Sequence, residues 1–308
     1  MFTDTHCHLS YLSERGFDLS AVLAELALSH VPCVIDAGTK AGDLSERIAL
    51  ITDALSRIST NGTLSDMISA SGRSPEDIKK EALALIRYTA GIWPDPDAIK
   101  DREAQIKTLR SVVERSLKGE DGLPSVCCIG ECGHDHHWNI AGADHRDEAD
   151  FASAAMFNAE SELFEMQIEL AREFNLPVMV HTRDAFEYSY DSIKNMGYNN
   201  GEIHCFSYSI EEARKFLDLG WYIALGGGVT YTKKSKQEAM DTLIRYIPDD
   251  MLLLETDAPY LAPVPERGKP NSPLLIKHTY AYIAERRGIT PEKLAELVLT
   301  NTRHLYGN

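Results

Sequence analysis

The chain has 308 residues, 44% of them hydrophobic, and a formal net charge of −16 at pH 7. A chain of this length buries a full core, and we predict one domain over residues 1–308. The negative charge disfavours a broad, non-specific nucleic-acid surface, which needs an excess of lysine and arginine. It still permits a nucleic acid held in a local pocket lined by metal ions.

Targeting signals are absent from the sequence. No apolar run reaches the length of a membrane span, and the N-terminus has no basic region followed by an apolar stretch. The six cysteines lie mostly in apolar runs and form no matched C-x-x-C pairs, which favours reduced, buried thiols. We therefore expect a cytoplasmic protein with no membrane association, and nothing in the sequence indicates an obligate protein partner.

Short β-rich runs alternate with longer helical segments along the chain. We predict helices over residues 18–29, 42–58, 97–118, 152–174, 273–287 and 291–305. We predict strands near residues 2–8, 33–38, 84–92, 126–130, 177–180, 202–203, 221–225 and 251–254. Alternation of this kind is typical of βαβ units and a parallel sheet. Eight strands with intervening helices predict an α/β fold, a TIM-type (β/α)8 barrel that is either regular or distorted.

Two segments are irregular and indicate loop insertions. Residues 59–75 are rich in serine, threonine, asparagine and glycine and lack apolar periodicity. We interpret them as an insertion on the barrel surface, because loops of this composition lie outside the packed elements. Residues 133–148 are rich in histidine and aspartate.

Residues of the metal-ligand type follow the predicted strands. They are His6, His8, Glu131, His181, His204 and Asp257. His6 and His8 are two positions apart, so they share one face of their strand. A single histidine at a strand end is more often a structural hydrogen-bonding residue. In a (β/α)8 barrel, however, the carboxyl ends of all strands meet at one mouth, so six such residues predict a metal site there.

Several motifs of the chain resemble those of one family. They are residues 3–9 (TDTHCHL), 129–135 (IGECGHD), 177–185 (PVMVHTRDA), 204–207 (HCFS), 254–263 (LETDAPYLAP), 267–271 (RGKPN) and 301–302 (NT). In these residues and in their order, the chain resembles the TatD-type metal-dependent deoxyribonucleases, a branch of the amidohydrolase-like barrels. The motifs span nearly the whole chain.

The resemblance implies a site with two divalent metal ions, which are Mg, Mn or Zn. His6, His8 and Asp257 would hold one ion, His181 and His204 the second, and Glu131 would bridge both or lean toward one. A metal-activated water would then cleave a phosphodiester bond, with Asp257 as general base and Glu131 as the other catalytic residue. The implied activity is that of a deoxyribonuclease, specifically an exonuclease, with DNA as substrate and RNA as the alternative.

Four residues outside the ligand set are candidate substrate contacts: Arg183, Trp93, Arg267 and Asn271. Arg183 is suited to bidentate phosphate binding, although a salt bridge with Asp184 or with a neighbouring helix is equally consistent with the sequence. Arg267 and Asn271 lie in a loop rich in proline and glycine after the eighth strand. They either contact a nucleic-acid backbone or pack over the barrel mouth.

Two places depart from the family pattern. Trp93 follows the third strand, where the family usually has a histidine, and its ring either stacks on a base or sugar or fills space. His134, His136 and His137 lie in a segment where the family usually has an aromatic pair. They add a metal contact, titrate near neutral pH or are only polar loop residues.

Two other functions compete with the nuclease. A related amidohydrolase-like enzyme acting on a small phosphoester, lactone or amide would have the same metal site, since function is set by the pocket and not by the fold. Such enzymes often bridge their metals with a carboxylated lysine, whereas this chain has Glu131, which favours the nuclease branch. A non-catalytic binding module would have lost ligands, and none is lost here.

Overall fold

The computed structural model describes residues 2–59, 62, 64–137 and 154–307. Eight strands form one parallel sheet in which each strand pairs with the next along the chain. They are β1 (Asp4–Cys7), β2 (Val34–Asp36), β3 (Ile86–Ala90), β4 (Cys128–Asp135), β5 (Val178–Arg183), β6 (Gly201–Ile203), β7 (Tyr222–Leu225) and β8 (Leu252–Leu254). The sheet curls into a nearly closed barrel, which confirms the predicted (β/α)8 architecture.

Helices connect the strands and cover the outside of the barrel. They are α1 (Leu9–Leu12), α2 (Leu19–Leu28), α3 (Leu44–Arg57), α4 (Ser65–Ser71), α5 (Pro75–Leu85), α6 (Pro96–Lys100), α7 (Arg102–Leu117), α8 (Ala154–Phe174), α9 (Phe186–Met196), α10 (Ile210–Asp218), α11 (Gln237–Tyr246), α12 (Ile276–Arg287) and α13 (Pro291–Tyr306). Several begin at a residue suited to cap a helix, such as Ser74 and Thr290, each followed by proline. No helix in the described residues is long and apolar enough to cross a membrane.

A seam between β1 and the residues after β8 closes the barrel. Cys7 and Ala258 form a single parallel bridge. The backbone N–H of His8 donates to the carbonyl of Ala258 at 2.8 Å, and that of Asp257 donates to the carbonyl of His6 at 2.9 Å. The seam therefore runs through three of the predicted ligands.

A buried aspartate reinforces this seam from inside. The Asp4 carboxylate accepts hydrogen bonds from the backbone N–H of Thr256 at 2.9 Å and from its hydroxyl at 2.6 Å. These two residues are 252 positions apart in the chain. One side chain of β1 thereby fixes the register of the backbone that follows β8.

The strands β4 and β5 extend further than predicted, and this corrects the placement of two candidate ligands. Glu131 and His181 lie within their strands and not after them. The pairing of β4 with β5 continues as far as Asp135 and Arg183. Gly133 makes the close approach possible: a Cβ atom there would lie only 1.9 Å from the carbonyl oxygen of His181.

The two irregular segments differ in part from expectation. Helix α4 lies inside the predicted 59–75 insertion and buries Ile68 against the main core, while positions 60, 61 and 63 are outside the described residues. Residues 133–135 belong to β4, and positions 138–148 are outside the described residues. The helix predicted over 97–118 is instead two helices, α6 and α7, separated at Asp101.

Strand residues alternate between two apolar clusters. One is the main core between strands and helices, and the other fills the barrel interior with Ile35, Met179, Ala224, Leu253 and Tyr306 among its members. This follows from the period of two along each strand. All six cysteines are free, and all except Cys205 are buried.

Arg47 of α3 is a buried charge that joins several elements. It is 4% exposed and pairs with the carboxylates of Asp36 and Asp43. Its guanidinium also donates to the carbonyl of Thr89 at 2.6 Å, and Asp36 accepts from the backbone N–H of Leu9 at 2.9 Å. The network ties α3, β2 and β3 together just below the barrel mouth.

Replacing Arg47 with alanine is expected to lower the free energy of unfolding by about 3–5 kcal/mol, because it leaves the Asp36 carboxylate buried without its partner. Urea denaturation measures this change. The control is Arg110→Ala, which removes an exposed ion pair between α7 and Glu173 of α8 and should cost at most about 1 kcal/mol. Equal losses for the two variants would contradict a structural role for the buried network.

Candidate metal centre

The barrel mouth brings together all six predicted ligand residues. His6 comes from β1, and His8 directly follows that strand. Glu131 comes from β4 and His181 from β5, whereas His204 and Asp257 follow β6 and β8. Four of the six are buried, and His181 and Asp257 are partly buried. Parallel strands of a closed barrel point their carboxyl ends at the same place, so the convergence follows from the fold.

Four donor atoms form the first group. His6 Nε2 and His8 Nε2 lie 3.2 Å apart. Glu131 Oε2 lies 3.5 and 3.4 Å from these two nitrogens, and Asp257 Oδ1 lies 3.7 and 3.6 Å from them. Four ligands about 2.1 Å from a tetrahedral zinc ion lie about 3.4 Å from one another. The size and the chemistry of this group therefore fit a divalent cation.

Three donor atoms form the second group. His181 Nδ1 and His204 Nε2 lie 3.1 Å apart, and Glu131 Oε1 lies 2.7 and 3.1 Å from them. The two groups adjoin closely, since the rings of His6 and His204 stack with centroids 4.1 Å apart. By mutual distance, His6, Glu131 and His204 also qualify as a set of ligands. The predicted division of the histidines into two sets is thus compatible with the structure, with His6 placed between them.

The Glu131 carboxylate lies between the groups, with one oxygen facing each pair of histidines. Burial raises the pKa of this carboxyl, but His204, His181 and His6 outweigh that effect and hold the pKa well below its usual range. For Asp257, burial likewise raises the pKa, and His8 and His6 lower it below its ordinary value. Both carboxylates are therefore ionised and able to bind a cation.

Hydrogen bonds from outside the groups orient the ligand rings. His181 Nε2 lies 2.9 Å from the carboxylate of Asp135, and His8 Nδ1 lies 3.2 Å from the carbonyl of Ala37. Burial lowers the pKa of His181, but Asp135 and Glu131 outweigh it and raise the pKa to about 9. Contacts of this kind fix which ring nitrogen faces a metal ion.

Asp135 contacts a candidate ligand, and the sequence analysis did not single it out. It is 1% exposed at the end of β4, in strand register with Arg183. The available signal was the alternation within residues 131–135, which places Glu131 and Asp135 on the same strand face. That signal required β4 to continue beyond Glu131, whereas we ended the predicted strand at residue 130.

Glu255 lies beside His204, as Asp135 lies beside His181. Its Oε1 accepts a hydrogen bond from the backbone N–H of Cys205 at 2.6 Å and lies 3.6 Å from His204 Nδ1.

Two residues of the centre have left-handed backbone. Cys205 has a φ of 48°, and Asp257 has a φ of 53°. Left-handed backbone of this kind costs about 1–3 kcal/mol in residues other than glycine and is typical of functional sites.

Two predicted substrate contacts lie on the rim beside the second group. The ring of Trp93 lies edge-to-face against that of His181, with centroids 5.6 Å apart. Arg183 has a side chain 44% exposed, and its guanidinium lies 3.9 Å from the Asp135 carboxylate. We considered Asp184 or a neighbouring helix as the ion-pair partner of Arg183, and the structure places its guanidinium within ion-pair distance of Asp135.

The loop after β8 places its two predicted contacts very differently. Arg267 is exposed, with its guanidinium 4.5 Å from the ring centroid of Tyr231. Asn271 is fully buried, and its amide nitrogen donates to the carbonyls of Thr256 and Tyr260 at 2.8 and 2.6 Å. The structure thus gives Asn271 a role in shaping the loop, in place of the predicted substrate contact.

The three additional histidines lie in hydrogen bonds outside both donor groups. His134 is buried between the hydroxyls of Ser189 and Ser161. His136 bonds to Glu160, whereas His137 bonds to Asp184; both distances are 2.9 Å. Because their ring nitrogens bond to these side chains and not to either donor group, we assign the three histidines to hydrogen bonds in and directly after β4.

The barrel and its histidine–carboxylate centre define a class of protein, the metal-dependent hydrolases. Residues 3–307 match the family model described as TatD related DNase. The chain belongs to this family, and it is a hydrolase.

Relatives support the assignment at the level of sequence. YcfH of Escherichia coli (strain K12), named as an uncharacterized metal-dependent hydrolase, is 30% identical over 98% of this chain and 94% of its own length. The 3'-5' ssDNA/RNA exonuclease TatD of Rahnella sp. (strain Y9602) is 30% identical over 75% of this chain and 82% of its own. Among solved structures, YJJV, a TatD homologue from Escherichia coli K12, has a TM-score of 0.72 at 24% identity and covers 100% of this chain and 98% of its own.

Replacing Asp135 with asparagine is expected to weaken divalent-metal binding about tenfold to a hundredfold, because an amide does not hold the His181 ring as a carboxylate does. Competition with a chromogenic chelator measures the affinity. The matched control is Asp184→Asn, which alters an exposed carboxylate bound to His137. If both variants bind metal as the wild type does, Asp135 does not orient His181.

Proposed function

We propose that this hydrolase is a metal-dependent deoxyribonuclease that removes nucleotides from DNA ends, with two divalent ions at the barrel mouth. The observation that carries the proposal is the position of Glu131, whose two oxygens each face a separate pair of histidine nitrogens. One bridging carboxylate between two donor sets is the arrangement expected of a two-metal site. Two adjacent cations suit the in-line displacement at a phosphodiester.

The chain's own residues supply the ligands and a base. His6, His8 and Asp257 would hold one ion, His181 and His204 the other, and Glu131 would serve both. When bound, the ions activate water and neutralise charge on the phosphate oxygens. Asp257 is ionised and partly buried at the mouth, so its carboxylate would accept the proton of the attacking water.

Rim residues would position the nucleic acid. Arg183, which is partly exposed, would offer its guanidinium to a phosphate beside His181, and Arg267, which is exposed over the Tyr231 ring, would offer another. Trp93 lies against His181, where its ring would support the terminal base or sugar. These contacts are local, which is consistent with a chain whose net charge of −16 opposes broad attraction of DNA.

Relatives and composition support the remaining parts of the proposal. The Rahnella relative is named for single-stranded DNA and RNA, so we extend the substrate to single strands of either kind. We propose Mg, Mn or Zn as the ions, because imidazole and carboxylate ligands accept all three to different degrees. Free thiols, five of the six buried, support a cytoplasmic location.

The deciding experiment digests 3′-labelled and 5′-labelled single-stranded DNA with metal-free protein to which Mg, Mn or Zn is restored in turn. Stepwise, metal-dependent shortening of one labelled strand is expected, and it reports the polarity and the preferred ion. If two ions bind per chain but no strand is cleaved under any metal, the deoxyribonuclease proposal fails. Small phosphoesters, lactones and amides would then become the substrates to test.

Replacing Glu131 with alanine or Asp257 with asparagine is expected to lower nuclease activity at least about a hundredfold while the protein stays folded, because the ions lose their ligands. Metal analysis should find two ions per wild-type chain, one with Asp257→Asn and fewer than one with Glu131→Ala. Asp250→Asn is the control, since Asp250 precedes β8 at the opposite end of the barrel. Full turnover by either site variant would refute this assignment of the site.

A further inference from the structure

An exposed tyrosine stands beside the first donor group. Tyr260 is 42% exposed, and its ring centroid lies 6.2 Å from that of His8. Its backbone is fixed, because its N–H donates to the carbonyl of Asp257 at 2.8 Å and its carbonyl accepts from the Asn271 amide at 2.6 Å. The chain thus holds an aromatic surface next to the metal ligands while leaving much of it open to solvent.

An arginine from the opposite end of the chain accompanies this tyrosine. Arg15 follows β1, and its guanidinium carbon lies 5.7 Å from the centroid of the Tyr260 ring. Within the part of the chain that the structure describes, no carboxylate lies within ion-pair distance of Arg15, which is exposed. Among the described residues, its guanidinium is therefore left without a carboxylate partner.

Arg15 also lines a cleft between the segment after β1 and the loop after β8. The cleft is open to solvent and has a volume of about 400 Å³. Its lining includes Arg15, Phe17, Glu266, Lys269, Leu274 and Leu275. The Glu266 carboxylate forms an ion pair with the Lys269 ammonium at 2.7 Å. Of the cations that line the cleft, Arg15 therefore remains available to a ligand. Apolar walls with one free cation suit a nucleotide, which has a flat base and a charged phosphate.

We propose that Tyr260 and Arg15 form a nucleotide subsite for a single strand, in which Tyr260 stacks on the base one position inside the scissile phosphate and Arg15 binds the next phosphate. The inference rests on the proposed function and specifies the substrate of that site. Only an unpaired base can lie against the tyrosine ring, because bases in a duplex are already stacked and paired. Trp93 contacts His181 of the second donor group and Tyr260 contacts His8 of the first, so a strand lying over both groups would meet an aromatic ring at each and would continue past Arg15 into the cleft.

The test compares strands that lack one base. The substrates are a single-stranded oligonucleotide and its twin with an abasic residue at the second position from the digested end, both with metal-loaded full-length protein. The wild type is expected to lose about five- to a hundredfold in kcat/KM on the abasic strand, mainly through KM. Tyr260→Ala should show that same loss on the intact strand and no further loss on the abasic one, whereas Tyr260→Phe keeps the aromatic face and should retain the difference between the two strands.

The chain offers a matched control pair at the other end of the barrel. Tyr246 is 37% exposed at the end of α11, and the guanidinium carbon of Arg214 lies 5.7 Å from its ring centroid. Tyr246→Ala should leave digestion of both strands unchanged. If Tyr260→Ala is as active as the wild type, or loses activity equally on intact and abasic strands relative to wild type, the subsite is refuted.

Arg15 gives an independent measurement. Each phosphate contact to a single strand contributes a slope of about −0.7 to the dependence of log affinity on log salt concentration. Arg15→Gln should therefore reduce the steepness of log KM against log salt by about 0.7, and Arg214→Gln should not change it. An unaltered slope for Arg15→Gln overturns its role. Failure of the proposed function would look different, because the wild type itself would then shorten no strand.

Discussion

The geometry of the barrel mouth depends on one buried carboxylate. Glu131 lies between two pairs of histidines and presents a separate oxygen to each pair. Four imidazoles at such short mutual distances repel one another when protonated, and a carboxylate alone among apolar walls is costly to ionise. The carboxylate and the imidazoles stabilise one another, and their remaining lone pairs face the space between them. The arrangement is suited to bind cations, and the surrounding fold holds these side chains in place.

The support for Glu131 extends through several layers. Its strand β4 approaches β5 closely because Gly133 has no side chain, and this brings Asp135 against His181. Below, the side chain of Met179 belongs to the interior cluster and contacts His6 Nδ1 at 3.0 Å. Packing of the barrel interior and geometry of the donor atoms are therefore linked directly. A change in the interior cluster would therefore move the side chains that support the histidine rings.

The sequence predicts the convergence of the candidate ligands better than it predicts their surroundings, for a physical reason. Apolar runs ending in His, Glu or Asp indicate strands whose carboxyl ends meet, so His6 and Asp257 can be assigned to one place without coordinates. The roles of Asp135 and Asn271 could not be predicted in this way. They depend on how far β4 extends and on the direction in which the loop after β8 places the Asn271 amide. The pairing of Tyr260 with Arg15 is also invisible in the sequence, since it joins the first and last turns of the barrel mouth.

The seam of the barrel has a consequence for how the protein is made. Asp4 and Thr256, which fix this seam, are 252 positions apart, and the first donor group likewise combines residues from both sides of it. On the ribosome, His6 and His8 emerge at the beginning of synthesis, whereas Asp257 is added only when most of the chain exists. A nascent or prematurely terminated chain therefore lacks a complete set of ligands. The first donor group can therefore form only after translation has passed residue 257.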